Sequence, residues 1–295
     1  MFEHLNPDYR KPPRVVILGA SGFIGNAVAS CVERGGVQVV RITRSEVDLS
    51  GPNAGSQLAA VLEPGDALVA AAARAPCKNA DMLIENLVMA RAIVLALSEV
   101  PPSHVVSISS DAVYLDSVEP LSEMSCASPE TLHGAMHLAR EVLFRNELRA
   151  PLATLRPSLV YGASDPHNGY GPNRFRRQAA RGEDIVLFGE GEERRDHVYI
   201  DDVAELVRRT LWRRSVGVLN IATGEVHSFR EIAGRVAALA RRHVAVKGSP
   251  RSGPMPHRGY RPFDISACRR AFPDFSYTPL EKGLARAQRE MTEQC

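Results

Sequence analysis

Three glycines, Gly19, Gly22 and Gly25, and two histidines, His133 and His137, have the spacing of residues that do chemistry. Gly19-Ala20-Ser21-Gly22-Phe23-Ile24-Gly25 follows a β-branched run, Arg14 to Leu18, and opens a helical stretch from Phe23 to about Arg34. Glycines at that junction permit a tight turn and let the backbone approach a pyrophosphate. They also let helix and strand pack closely, and the helix N-terminus adds free N–H groups for the anion. The turn therefore predicts a dinucleotide site. The end of the next strand, Val39-Val40-Arg41-Ile42-Thr43-Arg44-Ser45, bears on which dinucleotide. An acid there would take the ribose 2′-OH of NAD, whereas a 2′-phosphate needs arginine. The strand end shows no acid in reach. Arg44 can fork onto a phosphate, with Thr43 and Ser45 adding hydrogen bonds. NADP is the expected cofactor and NAD the second choice; a solvated surface arginine is the other reading of Arg44.

His133 and His137 stand four apart in a stretch read as helix from about Thr131 to Arg149, so the two rings share one face. Imidazole titrates near neutrality and is the commonest acid/base side chain. A metal site is the alternative, but the glutamate of H-E-x-x-H is absent and no carboxylate or cysteine is placed as a third ligand. No metal is expected.

The elements that must position these residues alternate. Apolar runs at Val37 to Ile42, Ala67 to Ala71, Val105 to Ile108 and Leu152 to Leu155 read as strands, with helices at Asn79 to Ser98 and Thr131 to Arg149 between them. Continuous apolar strands alternating with helices predict a parallel sheet covered on both faces. After Arg156 the texture changes. Ser164 to Asn173 is a Gly/Pro/Asn/His-rich candidate binding loop. Asp201 to Arg214 reads as helix, Val218 to Ile221 as strand and Phe229 to Arg242 as helix, while Lys247 to Gly259 reads as a mobile Pro/Gly/Ser-rich loop. The prediction is a Rossmann-type α/β doubly wound sheet with a smaller C-terminal substrate lobe. Residues 1–165 and 194–222 form the dinucleotide-binding domain in this reading, and 166–193 and 223–295 the lobe.

Composition narrows the partners. With 36 Lys plus Arg against 34 Asp plus Glu in 295 residues, the formal charge is +2, which gives no electrostatic reason to expect nucleic acid or a membrane surface. No apolar stretch approaches the roughly 20 residues needed to span a bilayer, and the polar N-terminus lacks a secretory signal. The dispersed cysteines Cys31, Cys77, Cys126, Cys268 and Cys295 read as reduced thiols of a cytoplasmic protein.

Nearly the whole chain resembles the extended short-chain dehydrogenase/reductase family, the NAD-dependent epimerases, dehydratases and reductases acting mostly on nucleotide sugars. The resemblance rests on the glycine turn, Asp48-Leu49, Ala71-Ala72-Ala73, Ser109-Ser110-Asp111-Ala112-Val113-Tyr114 and Arg156-Pro157-Ser158-Leu159-Val160-Tyr161-Gly162. It continues in Arg195-Asp196-His197-Val198-Tyr199-Ile200-Asp201-Asp202-Val203 and in Arg261-Pro262-Phe263-Asp264-Ile265-Ser266. It implies Asp48 and Leu49 on the adenine side, Ala71 to Ala73 against the cofactor, and Pro157, Ser158, Leu159 and Val160 beside the nicotinamide. Ser110 would hydrogen-bond the reacting carbonyl or hydroxyl. Arg195 and Arg261 would clamp a substrate diphosphate, with Tyr170 and Asn173 as further substrate contacts. Salt bridges to the adjacent Asp196 or Asp264 are the structural alternative for the arginines. The resemblance also implies a homodimer through the helices at 79–98 and 131–149.

One departure matters. The family's catalytic helix carries Tyr-x-x-x-Lys; here His133 stands at the tyrosine position and His137 at the lysine position. Either His133 is the working acid/base and His137 holds the cofactor ribose, or the chain is a non-catalytic dinucleotide-binding sensor or scaffold. A protonated His137 would push the His133 pKa down by like-charge repulsion. Asp111 matches the proton-donating acid of dehydratase members, or caps the following turn. Ala112 replaces the usual glutamate beside it, so epimerase or ketoreductase is expected rather than 4,6-dehydratase.

Overall fold

Short β-branched runs without polar breaks pair into strands, and amphipathic stretches between them cover both faces of the sheet they form. The computed structural model describes residues 1–293; Cys295 lies outside them. In chain order the first half comprises β1 (Glu3–His4), β2 (Arg14–Leu18), α1 (Phe23–Arg34), β3 (Gln38–Ile42), α2 (Ala54–Ala59), β4 (Ala67–Ala70), α3 (Ala80–Glu99), β5 (His104–Ile108), α4 (Leu132–Glu147) and β6 (Leu152–Pro157). The second half adds β7 (Leu159–Tyr161), α5 (Pro172–Ala180), β8 (Ile185–Phe188), β9 (Arg194–Tyr199), α6 (Ile200–Trp212) and β10 (Ser215–Ile221). It ends with β11 (Val226–Ser228), α7 (Phe229–Ala238), β12 (Val246–Ser249), β13 (Tyr260–Arg261), α8 (Ser266–Ala271) and α9 (Leu280–Glu293).

Seven strands form the central sheet in the order β1-β10-β6-β5-β4-β2-β3. Every pairing in it is parallel except β1 with β10. This is the doubly wound Rossmann-type α/β sheet. Strand β2 pairs with β3 on one side and β4 on the other, so the chain order reverses there and a crevice opens at the strands' carboxyl ends. Two apolar layers hold the helices on. Val28, Val32, Val203, Val207 and Trp212 of α1 and α6 pack on one face, and Leu58, Ile93, Leu97 and Phe144 of α2, α3 and α4 on the other.

A smaller cluster stands beside the sheet's carboxyl edge. Strand β9 pairs with β7, β11 and β13, while β8 and β12 form a separate parallel pair. Phe175, Ile185, Leu187, Phe229 and Leu284 pack in its core. Two corrections follow. Val246–Ser249 is a strand, not the start of a loop, because Ile185–Phe188 offers it a ladder that no local pattern announces. The helix read to Arg242 ends at Ala238.

No helix among the described residues is long and apolar enough to cross a membrane. The four described cysteines are free thiols.

One buried histidine couples the sheet to pH. His104 opens β5 at 1% exposure, and its Nε2 lies 2.7 Å from the Ser215 carbonyl of β10. Burial pushes its pKa down to about 4. The unfolded chain takes a proton here below about pH 6.5 and the folded chain only below about 4. This contribution is therefore complete above pH 6.5 and lost as pH falls through about 4. The thermal midpoint should drop across that window, and His104→Gln, whose amide reaches the same carbonyl without titrating, should drop less. Parallel curves for the two proteins would place the acid sensitivity elsewhere.

Candidate functional site

The glycine turn leaves β2 at the point where chain order reverses. Gly19 has φ +80°, and a Cβ on it would fall 2.8 Å from the Cα and N of Ala72; one on Gly25 would collide with the Gly19 carbonyl. No side chain fits there, so the turn lies directly against Ala71 to Ala73 at the end of β4. Gly22 caps α1 without a side chain. Ser21 is exposed, while Phe23, Ile24 and Val160 all pack against the cluster that contains Tyr161, Tyr199 and Ile200.

Beyond β3 the chain turns back, with the N–H groups of Glu46 and Val47 both donating to the Thr43 carbonyl. That turn corrects one expectation: an acid does reach the strand end. The Glu46 carboxylate accepts the Thr43 N–H at 2.8 Å and the Thr43 hydroxyl, so Thr43 is already engaged. Ser45 lies 2.7 Å from the same hydroxyl. Arg44 is 74% exposed and meets Asp48 at 3.2 Å in an i,i+4 pair. Asp48 also accepts from the Ser50 N–H and hydroxyl, and Leu49 is buried.

Helix α4 is seated by Gly134, whose missing side chain lets the helix rest on the Ala112 carbonyl. Thr131 caps it, accepting the Gly134 N–H. His133 and His137 do share a face, with ring centroids 4.7 Å apart and planes at 84°. The Cys77 N–H makes a long 3.4 Å contact to His133 Nδ1. Burial pushes the His133 pKa down, Asp111 draws it part of the way back, and His167 adds a smaller downward push. His137 is 6% exposed, and burial first, then the Arg140 charge, hold it neutral well below the usual imidazole range. Desolvation, not a protonated His137, thus lowers His133. His137 Nδ1 is buried without a partner among the described residues. No group of three or more His, Cys, Asp or Glu is placed to hold a metal ion among the described residues.

Ser110 follows β5 and, not Asp111, caps the short turn there by accepting the Ala112 N–H at 3.1 Å. The Asp111 carboxylate instead accepts from Arg261 Nε at 3.0 Å and faces an Arg195 nitrogen at 3.8 Å. It is not a free acid. Arg261 is 1% exposed and also donates to the Asp111 carbonyl and to Asp116, which His257 meets as well. Arg195 pairs with Glu193 at 3.3 Å. Neither arginine uses its sequence neighbour. Asp196 accepts from Ser158, Thr223 and the Gly224 N–H, and Asp264 from Ser266. The sequence held no sign of the Arg261–Asp111 pairing, because those partners lie 150 residues apart.

The remaining candidates are braces in this structure. Tyr170 Oη accepts the Phe188 N–H at 2.9 Å and its ring stacks on Phe188. Asn173 is buried, accepting from the Gly162 N–H and from Arg176. Pro157 ends β6, and Leu159 and Val160 run along β9 in β7. Sequence reasoning missed Arg140 and Glu141 on α4. Glu141 holds Arg156 and Ser109 in a buried cluster, and the mark available in advance was the helical spacing from His133 to Arg140.

Comparison with known proteins agrees with this architecture. The model of the NAD dependent epimerase/dehydratase family matches residues 15–222. The dTDP-4-dehydro-6-deoxy-D-allose reductase of Streptomyces bikiniensis is 28% identical over 156 residues, 50% of this chain and 45% of that protein. The GDP-L-fucose synthase of Escherichia coli (strain K12) is 23% identical over 267 residues, 77% of this chain and 81% of its own. The chain spans about half the length of the first of these relatives. Among solved structures, a GDP-L-fucose synthetase from Naegleria fowleri bound to NADP superposes with a TM-score of 0.84 at 17% identity, over 99% of this chain and 97% of that one. A UDP-glucose 4-epimerase of Thermus thermophilus complexed with NAD gives 0.82 at 21%, over 96% and 100%. At these identities the superpositions speak to fold alone. The family match across the sheet and its crevice supplies the conclusion: this chain belongs to the NAD dependent epimerase/dehydratase family.

Proposed function

We propose that the chain binds a nicotinamide dinucleotide, NADP in preference to NAD, and passes hydride between it and a carbon of a nucleotide-linked sugar, as epimerase or ketoreductase. The observation that carries the reading is the turn of Gly19 and Gly25, free of side chains and closed against the Ala72 backbone, with an orphaned neutral His137 Nδ1 on α4. Both fit a dinucleotide: the turn takes its diphosphate, and the imidazole nitrogen takes a hydroxyl of the nicotinamide ribose. The relatives named above act on dTDP- and GDP-linked sugars, which supports the substrate class. Residues 1–165 with 194–222 serve the cofactor in this reading, and 166–193 with 223–295 the substrate.

The bound dinucleotide would supply or accept the hydride. Ser110 orients the reacting oxygen and His133 carries its proton. A lowered pKa keeps His133 neutral, the form that accepts a proton as a sugar hydroxyl is oxidised. Arg195 and Arg261 remain the diphosphate clamp in this reading, released from Glu193, Asp111 and Asp116 when a stronger anion arrives. The same pairing favours a second reading: with both arginines already matched by carboxylates, the chain binds a dinucleotide as a non-catalytic sensor.

Cofactor choice turns on Arg44. Its pair with Asp48 is exposed and screened by water, so a 2′-phosphate displaces it readily. NADPH should bind more tightly than NADH, and Arg44→Ala should remove about ten-fold or more of that preference. Equal affinities in the parent, read by fluorescence titration, would end the NADP preference, and tighter binding of NADH would make Glu46 the residue that sets the choice.

Turnover tests the histidine. With UDP-, GDP-, CDP- and dTDP-sugars as substrates, His133→Ala should cost about a hundred-fold or more in kcat with NADPH affinity intact. In the oxidising direction the acid limb of kcat/KM should lie below about pH 6.5, since the ring stays neutral past that point. Dinucleotide binding without turnover on any of these sugars gives the sensor reading the lead.

Assembly follows from the helix pair. Ile84 and Val88, one turn apart on α3, are 60% and 41% exposed, and Val142 on the neighbouring α4 is 41% exposed. These exposed apolar side chains support a homodimer through α3 and α4. Sedimentation of the parent should report a dimer and of Ile84→Glu/Val88→Glu a monomer; a monomeric parent ends the proposal.

A further inference from the structure

Arg140 lies one turn beyond His137 on α4 and is 3% exposed. A guanidinium has five N–H donors. Among the described residues this one makes a single hydrogen bond, from Nη2 to the Ala72 carbonyl at 3.0 Å, and lies 5.9 Å from the Phe144 ring centre. The other deeply buried arginines are better satisfied. Arg156 is matched by Glu141, Arg261 by Asp111 and Asp116, and Arg176 donates to three oxygens. No carboxylate pairs with Arg140 among the described residues. Burial alone pushes its pKa down, to about 10, so it keeps its charge at neutral pH.

A buried cation without a counter-ion is costly, so an anion bound near it relieves that cost. Its place is informative. Ala72, which accepts its one hydrogen bond, is the residue whose Cα and N stand where a Gly19 side chain would be. A single residue separates the guanidinium from the glycine turn.

We propose that Arg140 is the fixed cation of the dinucleotide cleft, attracting the cofactor's diphosphate from behind Ala72. The inference rests on the dinucleotide reading above and adds a residue to it. His137 then acts as a hydrogen-bonding group, and the positive charge stands one turn away on Arg140.

Two variants separate charge from hydrogen bonding. Arg140→Gln keeps a donor for the Ala72 carbonyl without charge, and Arg140→Lys keeps the charge with altered geometry. NADPH titration should show Arg140→Gln about ten-fold or more weaker than the parent, and Arg140→Lys within a few-fold of it. Without ligand, Arg140→Gln should melt at or above the parent temperature, because an uncompensated charge has been removed from the interior. Unchanged affinity in Arg140→Gln, or weaker binding in Arg140→Lys than in Arg140→Gln, overturns the proposal. An unfolded Arg140→Gln also overturns it, in favour of a structural strut. A parent that binds neither NADPH nor NADH defeats the dinucleotide reading itself, and this inference with it.

Discussion

The contact between Gly19 and Ala72 is the constraint on which the crevice depends. The turn leaving β2 and the end of β4 approach until only hydrogen fits between them, as the Gly19 φ of +80° and the 2.8 Å spacing require. Parallel pairing of β2 with both β3 and β4 brings those strand ends side by side, and the apolar layers on the two faces hold them there. Helix α4 reaches the same place, seated by Gly134 on Ala112 and tied to Ala72 through Arg140. Three elements separated in sequence therefore share one backbone residue. A shift in any of them moves the turn and the histidine pair together.

A second network governs the substrate end. Asp111, directly after Ser110, lies between Arg195 and Arg261, and Asp116, Glu193 and His257 close the cluster. Three carboxylates face two guanidinium groups there, so the cluster is not the simple positive clamp that two arginines in a sequence suggest. His257 and Arg258 both adopt φ +51°, a left-handed conformation that non-glycine residues adopt at a cost. The hydrogen bonds that His257 and Arg261 make to Asp116 hold the segment in place.

The sheet was legible because its strands are unbroken apolar runs and its helices carry caps and amphipathic spacing, and both signals are local. The glycine turn was legible for the same reason, since three glycines at a strand–helix junction specify a backbone shape. What could not be read depends on distant partners. Strand β12 looks like a loop until β8 lies beside it, and β1 is two polar residues paired to β10. The Arg261–Asp111 pair spans 150 residues, and nothing near either residue marks it. Glu46 is the intermediate case: it stands three residues past Thr43, and only the turn there makes it an acid at the strand end.

The replacement of a phenol and an ammonium by two imidazoles changes what the surrounding charge must do. A phenol with an ordinary pKa near 10 needs a close cation to ionise at neutral pH, which ties that cation to the acid/base. An imidazole is largely neutral at about pH 7 already, and burial lowers His133 further. A cation beside it would only weaken it as a base. The charge is then free to stand elsewhere along the cleft, and the structure has it at Arg140, adjacent to His137 and separated from the glycine turn by Ala72. Lowering of the acid/base pKa by burial and attraction of the cofactor by charge become separate devices, carried by different residues of one helix.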